Sequence, residues 1–542
     1  MKERIHELMQ KGNLDEIKEY IKSNPTSLSV RDAGGAVALH YAMQRGEPDI
    51  VRYLLARKEV DRHPRSNAGV TPLHAAVIKN NPELLMDYEL DEEVDTKAPF
   101  LLHIVANNNC RIKVFEHCIR IGCNANTPLS LANDSLGALN IHNTMTPFMI
   151  ACSKGHKILA RFMLDRYGDS LDASILDHKG CSMLRWALEL REVDMLEKCL
   201  RLGISVDAQD LDGFSCLHWT SIYAAKNMGF WKEGAVSLIF YGANTSLKTQ
   251  DNERGMTALG IAAFGQNASA LEAVETLLEH DVDCNIPSSV TISASPLSLP
   301  PLWIAVSAGN LDAAASLVQN TRGSNTRQEG GNTLLHLVMR NERGMECAKK
   351  LLAKHPWMLN DKNGEGGTPI LGAAVANQVK NIEFLLSRGA NLDIISDNGM
   401  HTVHWAAMYG STDALQVLFE HDQALVTIQD TARNTPLRTA ITHNKFSTAS
   451  AIVSRYTTDT INTKNARYET ALYLALQKFA ETRTQDAKDC IKAIASLASF
   501  EDIDYGHHSA SEVAGILRIE DSEVLGLLGA SANPAVQALE AA

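Results

Sequence analysis

The segment HTVHWAAMYG, residues 401–410, carries two histidines three positions apart beside a tryptophan. Residues at this spacing share one face of an α-helix, where two imidazoles could bind a metal ion or act as an acid–base pair. A denser group of metal-ligating residue types lies upstream, at His103, Cys110, His117, Cys118 and Cys123. Their spacings lack the paired C-x2-C or H-x3-5-H form of structural zinc sites. We therefore expect buried thiols there, with no metal and no other cofactor.

Motifs of nucleophilic or phosphate chemistry are missing from the sequence. It contains no G-x-S-x-G elbow, no H-E-x-x-H, no P-loop and no G-x-G-x-x-G. We therefore predict that the chain is not an enzyme and assign no catalytic residue. A triad assembled from distant parts of the chain remains an alternative, because triads are defined by geometry and not by sequence position.

A repeated block surrounds the candidate residues. The block GVTPLHAAVIKN at 69–80 recurs about every 33 residues. Aligned on its Thr71, the other copies start at Val37, Phe100, Thr146, Ser182, Ser215, Thr257, Pro300, Thr333, Thr368, His401, Thr435 and Thr470. Each copy continues into a second apolar helical segment, such as VDMLEKCLRLG at 193–203. One such block would be weak, but a dozen in register indicate a repeat protein.

The blocks resemble the ankyrin repeat, whose pattern is T-P-L-H-x-A, a turn, a second helix ending in V-x-x-L-L, then G-A-x-x-N and a D-x-x-G loop. The resemblance implies an all-α solenoid of about 14 to 15 helix-turn-helix units with short hairpin-like loops. Elementary chemistry agrees, because proline costs no hydrogen bond in the first helical turn and glycine readily ends a helix. Short alanine-rich helices cannot bury themselves alone, so stacking must stabilise them.

The repeats divide the chain into five expected segments. These are a capping unit at 1–35, units at 36–145 with an enlarged loop near 124–144, units at 146–300 with insertions near 224–234 and 286–300, regular units at 301–505, and a degenerate capping unit with a tail at 506–542. The insertion at 224–234 and the segment 479–490 should lengthen helices. The Ser/Pro-rich segment 286–300 should form a long exposed loop. No contiguous stretch is left for a separate catalytic domain of ordinary size.

Alignment of the repeats gives most residues of the segment 401–410 a structural role. The TPLH histidine recurs at His40, His74, His103, His218, His336 and His404, where the resemblance implies a hydrogen bond to the backbone of the adjoining loop. The tryptophans that follow this position, Trp186, Trp219 and Trp405, are expected in the core. Within 401–410, only His401, Met408 and Tyr409 are left without an architectural role.

Partner-binding residues follow from the resemblance, since ankyrin arrays meet partners along a groove lined by the residues before T-P and by the end of the first helix. Unit by unit, this predicts Phe214, Ile222, Tyr223, Met256 and Phe264, and then Met400, Met408 and Tyr409 next to Asn434 and His443. Adjacent exposed aromatic and methionine side chains are typical of interface hot spots. For the first group, partial packing under the insertion at 224–234 is the alternative. The acidic run ELDEEVD at 89–95 either attracts a basic partner or is simply solvated.

Composition narrows the class of function. A formal net charge of −13 argues against nucleic acid as a partner. The ten irregularly spaced cysteines, without a secretory segment, indicate reduced thiols in the cytoplasm. No apolar run of about 18 residues could span a membrane. We predict a monomeric, cytoplasmic, non-catalytic protein–protein interaction scaffold that binds its partner along a concave groove.

The resemblance also covers effectors that intracellular bacteria deliver into host cells. The alternative function is therefore an effector enzyme, a hydrolase or transferase, with catalytic residues grafted on the ankyrin scaffold. A pocket joining a Cys or Ser with a His would favour the enzyme, whereas an open groove would favour the binding module.

Overall fold

The computed structural model describes residues 4–88, 94, 100–128, 144–249, 255–292, 295–328, 330–501, 503–504 and 506–529. These residues separate into two compact units. The first comprises 1–262, 268–283 and 287–298, and the second comprises 263–267, 284–286 and 299–542. Most of the acidic run at 89–95, most of the enlarged loop at 124–144 and the tail at 530–542 lie outside the described residues.

The first unit is built from short helices in pairs. They are Arg4–Lys11, Leu14–Ser23, Ala38–Arg45, Pro48–Leu55, Pro72–Ile78, Leu101–Asn107, Ile112–Arg120, Pro147–Ser153, Lys157–Tyr167, Met183–Glu189, Val193–Arg201, Cys216–Ala225, Trp231–Phe240 and Ala268–Glu279, with the 3-10 helices Pro25–Ser29, Pro82–Leu85 and Gly168–Ser170. The helix Ala258–Phe264 begins in this unit and ends in the second. First helices of neighbouring repeats pack on each other, as Leu101–Asn107 does on Pro147–Ser153.

The second unit repeats the arrangement. Its helices are Pro301–Ala308, Leu311–Leu317, Leu334–Val338, Met345–Lys354, Pro369–Val375, Val379–Ser387, Thr402–Tyr409, Thr412–His421, Pro436–Thr442, Phe446–Val453, Thr458–Ile461, Ala471–Thr482, Gln485–Ala495, Ala510–Ile516 and Ser522–Leu527, with the 3-10 helices Glu342–Gly344, Pro356–Asn360 and Gln423–Val426. The predicted all-α ankyrin architecture is confirmed, since each unit is a stack of helical pairs.

Local sequence explains where these helices begin and end. Thr146 precedes one first helix, and its hydroxyl accepts a hydrogen bond from the Met149 amide. Pro147 then takes the first helical position, where no amide donor is needed. At the other end, Gly410 has a φ of 82°, a left-handed conformation that ends Thr402–Tyr409 without steric cost. Capping residues therefore place each helix within its repeat.

The segments that depart from the repeat pattern differ in their structure. The helices Cys216–Ala225 and Trp231–Phe240 flank one insertion, and the long helices Ala471–Thr482 and Gln485–Ala495 contain most of another. The segment 286–300 was expected to be an exposed loop, and this prediction is wrong. Its strands Ser288–Ile292 and Ser295–Leu299 pair as a hairpin.

Two features explain the hairpin. The β-branched residues of the sequence SSVTI favour an extended backbone. The first strand is also anchored, because Ser288 is fully buried and its hydroxyl oxygen accepts a hydrogen bond from the Thr257 amide at 2.9 Å. Gly260 leaves room for this contact, since a Cβ at that position would collide with the Ser288 side chain.

The core contains all ten cysteines, each buried and without a disulfide. Burial raises the pKa of the Cys110 thiol to about 11 and that of the Cys347 thiol to about 12. These thiols are therefore protonated and behave as small apolar side chains. Of the helices that the structure describes, none is long and apolar enough to cross a membrane.

Candidate partner-binding groove

The histidine of the TPLH motif ties a repeat to the next at His40, His218, His336 and His404. The same expectation for His103 is wrong, because neither of its buried ring nitrogens has a hydrogen-bond partner in the described chain. Nδ1 of His336 accepts a hydrogen bond from the Thr333 amide at 3.2 Å, and Nε2 donates to the Gly367 carbonyl at 2.9 Å. The residues His40, His218 and His404 likewise reach the carbonyls of Val70, Met256 and Asn434. Burial lowers the pKa of these imidazoles, which holds them neutral with one donor and one acceptor nitrogen.

Other residue types bridge the repeats from the same register position. Trp303 donates from Nε1 to the Thr326 hydroxyl at 2.8 Å, and Arg438 donates to the Thr463 carbonyl at 2.9 Å. Burial lowers the pKa of Arg438 to about 10. Neither residue was predicted to bridge repeats, although both stand at the position of the TPLH histidine in their own repeat.

The tryptophans that follow the TPLH position are not core residues, so that prediction is wrong. Trp186, Trp219 and Trp405 are half-buried. The indole N–H of Trp219 donates to Asp210 at 3.3 Å, and that of Trp405 donates to the Ser396 hydroxyl at 3.0 Å. An indole N–H needs a polar partner, and the loop before each helix supplies one. The rings thus lie against the loops.

The first predicted binding group is partly inaccessible. Tyr223 is only 4% exposed, so its expected place on an exposed surface is wrong. The physical reason is Arg185, which donates from Nη1 to the Tyr223 hydroxyl at 3.0 Å. Three other members, Phe214, Ile222 and Met256, are half-buried. The last, Phe264, is 58% exposed and belongs to the second unit.

Arg185 is held by aromatic rings and a carboxylate of its own chain. Its guanidinium carbon lies 3.9 Å from the centroid of the Trp219 ring and 5.8 Å from that of Tyr223. It also forms an ion pair with Glu189 at 2.8 Å. With only 11% of the Arg185 side chain exposed, this cluster is closed to a partner.

The second predicted group lies beside an open groove. Tyr409 is 53% exposed and its ring stacks on Trp405, with centroids 6.3 Å apart and planes 17° apart. Both rings line a groove of about 250 Å³. The predicted Met400 and Met408 are half-buried and are not among its lining residues. Nearby, Asn434 is half-buried and His443 is exposed.

Gly372 and Arg340 form part of the groove wall. A Cβ at Gly372 would lie 3.3 Å from Cγ of Arg340, so the aliphatic stem of Arg340 covers the glycine. Glu365 lies in the loop before Pro369–Val375 and also lines the groove. Within the described ranges, neither the Arg340 guanidinium nor the Glu365 carboxylate has a hydrogen bond or an ion pair. Gly372, Arg340 and Glu365 were not predicted to line a binding surface.

The structure also locates the residues first considered for metal chemistry. The rings of His401 and His404 are 5.9 Å apart, and the buried Nδ1 atom of each has no hydrogen-bond partner in the described chain. Upstream, the Cys110 thiol donates to the Val77 carbonyl, and Nδ1 of His117 accepts from Arg120. No group of three or more His, Cys, Asp or Glu side chains in the described ranges could hold a metal ion.

Comparison with known proteins decides the family. A model of ankyrin repeats in three copies matches residues 5–98, 302–396 and 371–465, which include the groove. These parts of the chain are ankyrin repeats. Among solved structures, the ankyrin repeat domain of human ASB11 is similar, with a TM-score of 0.35 and 20% identity, over 43% of this chain and 99% of that one.

Two curated relatives share part of the ankyrin-repeat chain. The phosphocholine transferase AnkX of Legionella pneumophila is 22% identical over 269 residues, which is 49% of this chain and 25% of the relative. The NF-kappa-B inhibitor delta of Mus musculus is 36% identical over 119 residues, which is 21% of this chain and 36% of the relative. This chain therefore spans a quarter of the length of AnkX and little more than a third of the length of the NF-kappa-B inhibitor delta.

Proposed function

We propose that the chain is a non-catalytic interaction scaffold that binds a protein partner along the groove of its second unit. Its ankyrin repeats make it a protein-interaction module. The observation that carries the choice of surface is the exposed Tyr409 ring, which stacks on Trp405 at the edge of an open groove. Exposed aromatic side chains beside a pocket are the usual anchors of protein interfaces.

The contrast between the two units supports the choice. In the first unit, the aromatic residues at the equivalent positions are covered by Arg185. In the second unit, the equivalent aromatic pair lines a groove whose charged residues Arg340 and Glu365 have no partner among the described residues. Charges that a partner covers without pairing them lower its affinity for the groove. A partner would therefore present groups of opposite charge to Arg340 and Glu365.

The experiment compares two single substitutions in affinity capture from a lysate. Tyr409→Ala removes the exposed ring, whereas Trp357→Ala removes another ring of the same unit, 48% exposed on the 3-10 helix Pro356–Asn360. We expect Tyr409→Ala to reduce captured partner at least tenfold, as hot-spot truncations do, and Trp357→Ala to leave it unchanged. Equal capture by wild type and Tyr409→Ala, with unchanged helicity, would refute the proposal.

The partner, the compartment and the oligomeric state belong to the same proposal. The ten unpaired cysteines support a reducing cytoplasm. The net charge of −13 supports a protein partner over nucleic acid. We propose that the chain works as a monomer, which light scattering of the purified protein tests directly.

A second candidate function rests on one relative. AnkX is a phosphocholine transferase, and this supports the alternative that the present chain transfers a group to a partner held in the groove. The test incubates the captured partner with the chain and a phosphocholine donor, and then measures the partner's mass. A phosphocholine adduct would establish the transferase, and an unchanged mass would favour the scaffold.

A further inference from the structure

The sequence H-W-x-x-x-Y occurs twice at the same register position. It spans His218 to Tyr223 in the first unit and His404 to Tyr409 in the second. In both copies, the tryptophan donates from Nε1 to the loop before its helix. The ring centroids of the Trp–Tyr pair are 6.4 Å apart in the first copy and 6.3 Å apart in the second. The ring planes are 45° apart in the first copy, which holds Arg185, and 17° apart in the second, so the two pairs share their spacing and differ in tilt.

The first copy is covered by residues of the preceding repeat. Arg185 lies over the Trp219 ring, Trp186 lies beside it with its ring centroid 5.9 Å from the guanidinium carbon, and Glu189 forms the ion pair. This arrangement shows which side chain such an aromatic pair holds: an arginine with a carboxylate counter-charge. Planar guanidinium groups stack well on indole and phenol rings.

The second copy lacks these covering residues. Counted from the start of its own repeat, the positions of Arg185, Trp186 and Glu189 are taken by Leu371, Gly372 and Val375. Leucine, glycine and valine supply no cation, indole or carboxylate to cover the Trp405–Tyr409 pair. The groove of about 250 Å³ is lined by Leu371, Gly372 and Val375 together with both aromatic rings.

The groove beside the second copy has one charge of each sign. Glu365 could pair with a cation of the partner, and Arg340 with an anion. Glu365 supplies a carboxylate among the groove residues, and no residue of the described chain pairs with it. Arg340 also lines the groove, and its positive charge would repel an incoming guanidinium. However, its stem lies along Gly372, and its own free guanidinium suits an acidic neighbour in the partner.

We infer that the groove lined by Glu365, Trp405 and Tyr409 binds an arginine side chain of the partner. The guanidinium stacks on the aromatic pair and pairs with the Glu365 carboxylate, as Arg185 does with Trp219 and Glu189. The arginine belongs to an exposed or extended segment of the partner, because a side chain must enter an open groove from above. The inference rests on the proposed function and specifies the partner's anchor residue.

The test measures binding of the full chain to immobilised octapeptide pools. Each pool has one fixed central residue, Arg, Lys, Phe, Glu or Ala, and randomised flanking residues. We expect the Arg pool to bind most strongly, about tenfold above the Ala pool, a ratio typical of a desolvated cation–aromatic contact with a counter-charge. Strongest binding by the Phe or Glu pool would overturn the inference, as would equal binding of all pools.

Two variants locate the binding. Glu365→Gln changes charge at an exposed position without changing size, and should lower Arg-pool binding about tenfold while Phe-pool binding stays the same. The combination Leu371→Arg, Gly372→Trp and Val375→Glu installs the covering residues of the first unit, and should abolish Arg-pool binding. Unchanged Arg-pool binding by Glu365→Gln would overturn the inference even if the combined variant fails to fold.

A gain-of-function variant provides the matched control. Arg185→Ala uncovers Trp219 and Tyr223, and with Glu189 retained it should raise the number of Arg peptides bound per chain from one to two. An unchanged stoichiometry in a folded variant would overturn the reasoning from the first unit. Failure of the arginine preference while Tyr409→Ala still abolishes partner capture would remove this inference and leave the proposed function standing.

Discussion

Replacing His336 with alanine tests how neighbouring repeats are held together beneath the groove. His336 is 4% exposed and lies between two buried backbone groups, the Thr333 amide and the Gly367 carbonyl. Alanine cannot reach either group, so the variant loses both bonds. The substitution therefore leaves one donor and one acceptor buried without a partner.

The size of the effect follows from these contacts. Each backbone group left unsatisfied costs about 1 to 2 kcal/mol, and the cavity left by the ring adds about 1 to 2 kcal/mol. We expect His336→Ala to lower the free energy of unfolding of the surrounding repeats by about 3 to 6 kcal/mol. That is a large part of the stability of an ordinary domain. His421→Ala is the control, because His421 is exposed at the end of Thr412–His421 and should change stability by less than about 0.5 kcal/mol.

Hydrogen exchange is the appropriate assay, because repeats open locally and a single melting temperature would average over them. Amides of Pro369–Val375 and Leu334–Val338 should exchange at least a hundredfold faster in His336→Ala, while those of the first unit keep their protection. Equal protection in the variant and the wild type would refute the account of the histidine as the bond between repeats.

Two further predictions concern the loss of stability at low pH and the effect of a side chain at Gly260. Burial lowers the pKa of His40, His218, His336 and His404, and it lowers the pKa of His103 to about 4. Below the pKa of about 6.5 that these histidines have when unfolded, the unfolded chain therefore binds more protons than the folded chain. Stability should thus be full above pH 6.5 and fall as the pH drops toward 4, and a urea midpoint that does not move across this range would contradict the assignment. Gly260→Ala should push Ser288 out of place and cost about 1 to 3 kcal/mol, because the added methyl group collides with the buried hydroxyl. Faster hydrogen exchange at 286–292 in Gly260→Ala would show this, and unchanged exchange there would contradict the predicted collision.

Much of the architecture could be predicted from the repeated sequence. A proline after Thr146 or Thr368, or a left-handed glycine such as Gly410, fixes a helix boundary through contacts only a few residues apart. The bond from His336 to the next loop was likewise predictable, because the same residue recurs at the same register. These features depend on local chemistry, and local chemistry repeats with the sequence.

The candidate site was only partly predictable. Tyr409 was correctly placed on an exposed surface, but Tyr223, which stands at the same register position, is buried. The insertion at 224–234 made partial packing of Tyr223 an alternative, but the segment around Tyr223 does not identify the side chain that covers it. The difference lies one repeat earlier, where Arg185 covers the first aromatic pair and Leu371 does not cover the second.

The sequence by itself thus determined the repeat, the helix boundaries and the recurring histidine bonds of this protein. The tertiary structure alone decided which aromatic residues are open to a partner, since exposure depends on side chains that stacking brings together from about 35 residues away. It also decided that Ser288 stands where a histidine would otherwise accept the Thr257 amide. Hydrogen bonds and helix caps act within a few residues, whereas burial is a property of the whole packed surface.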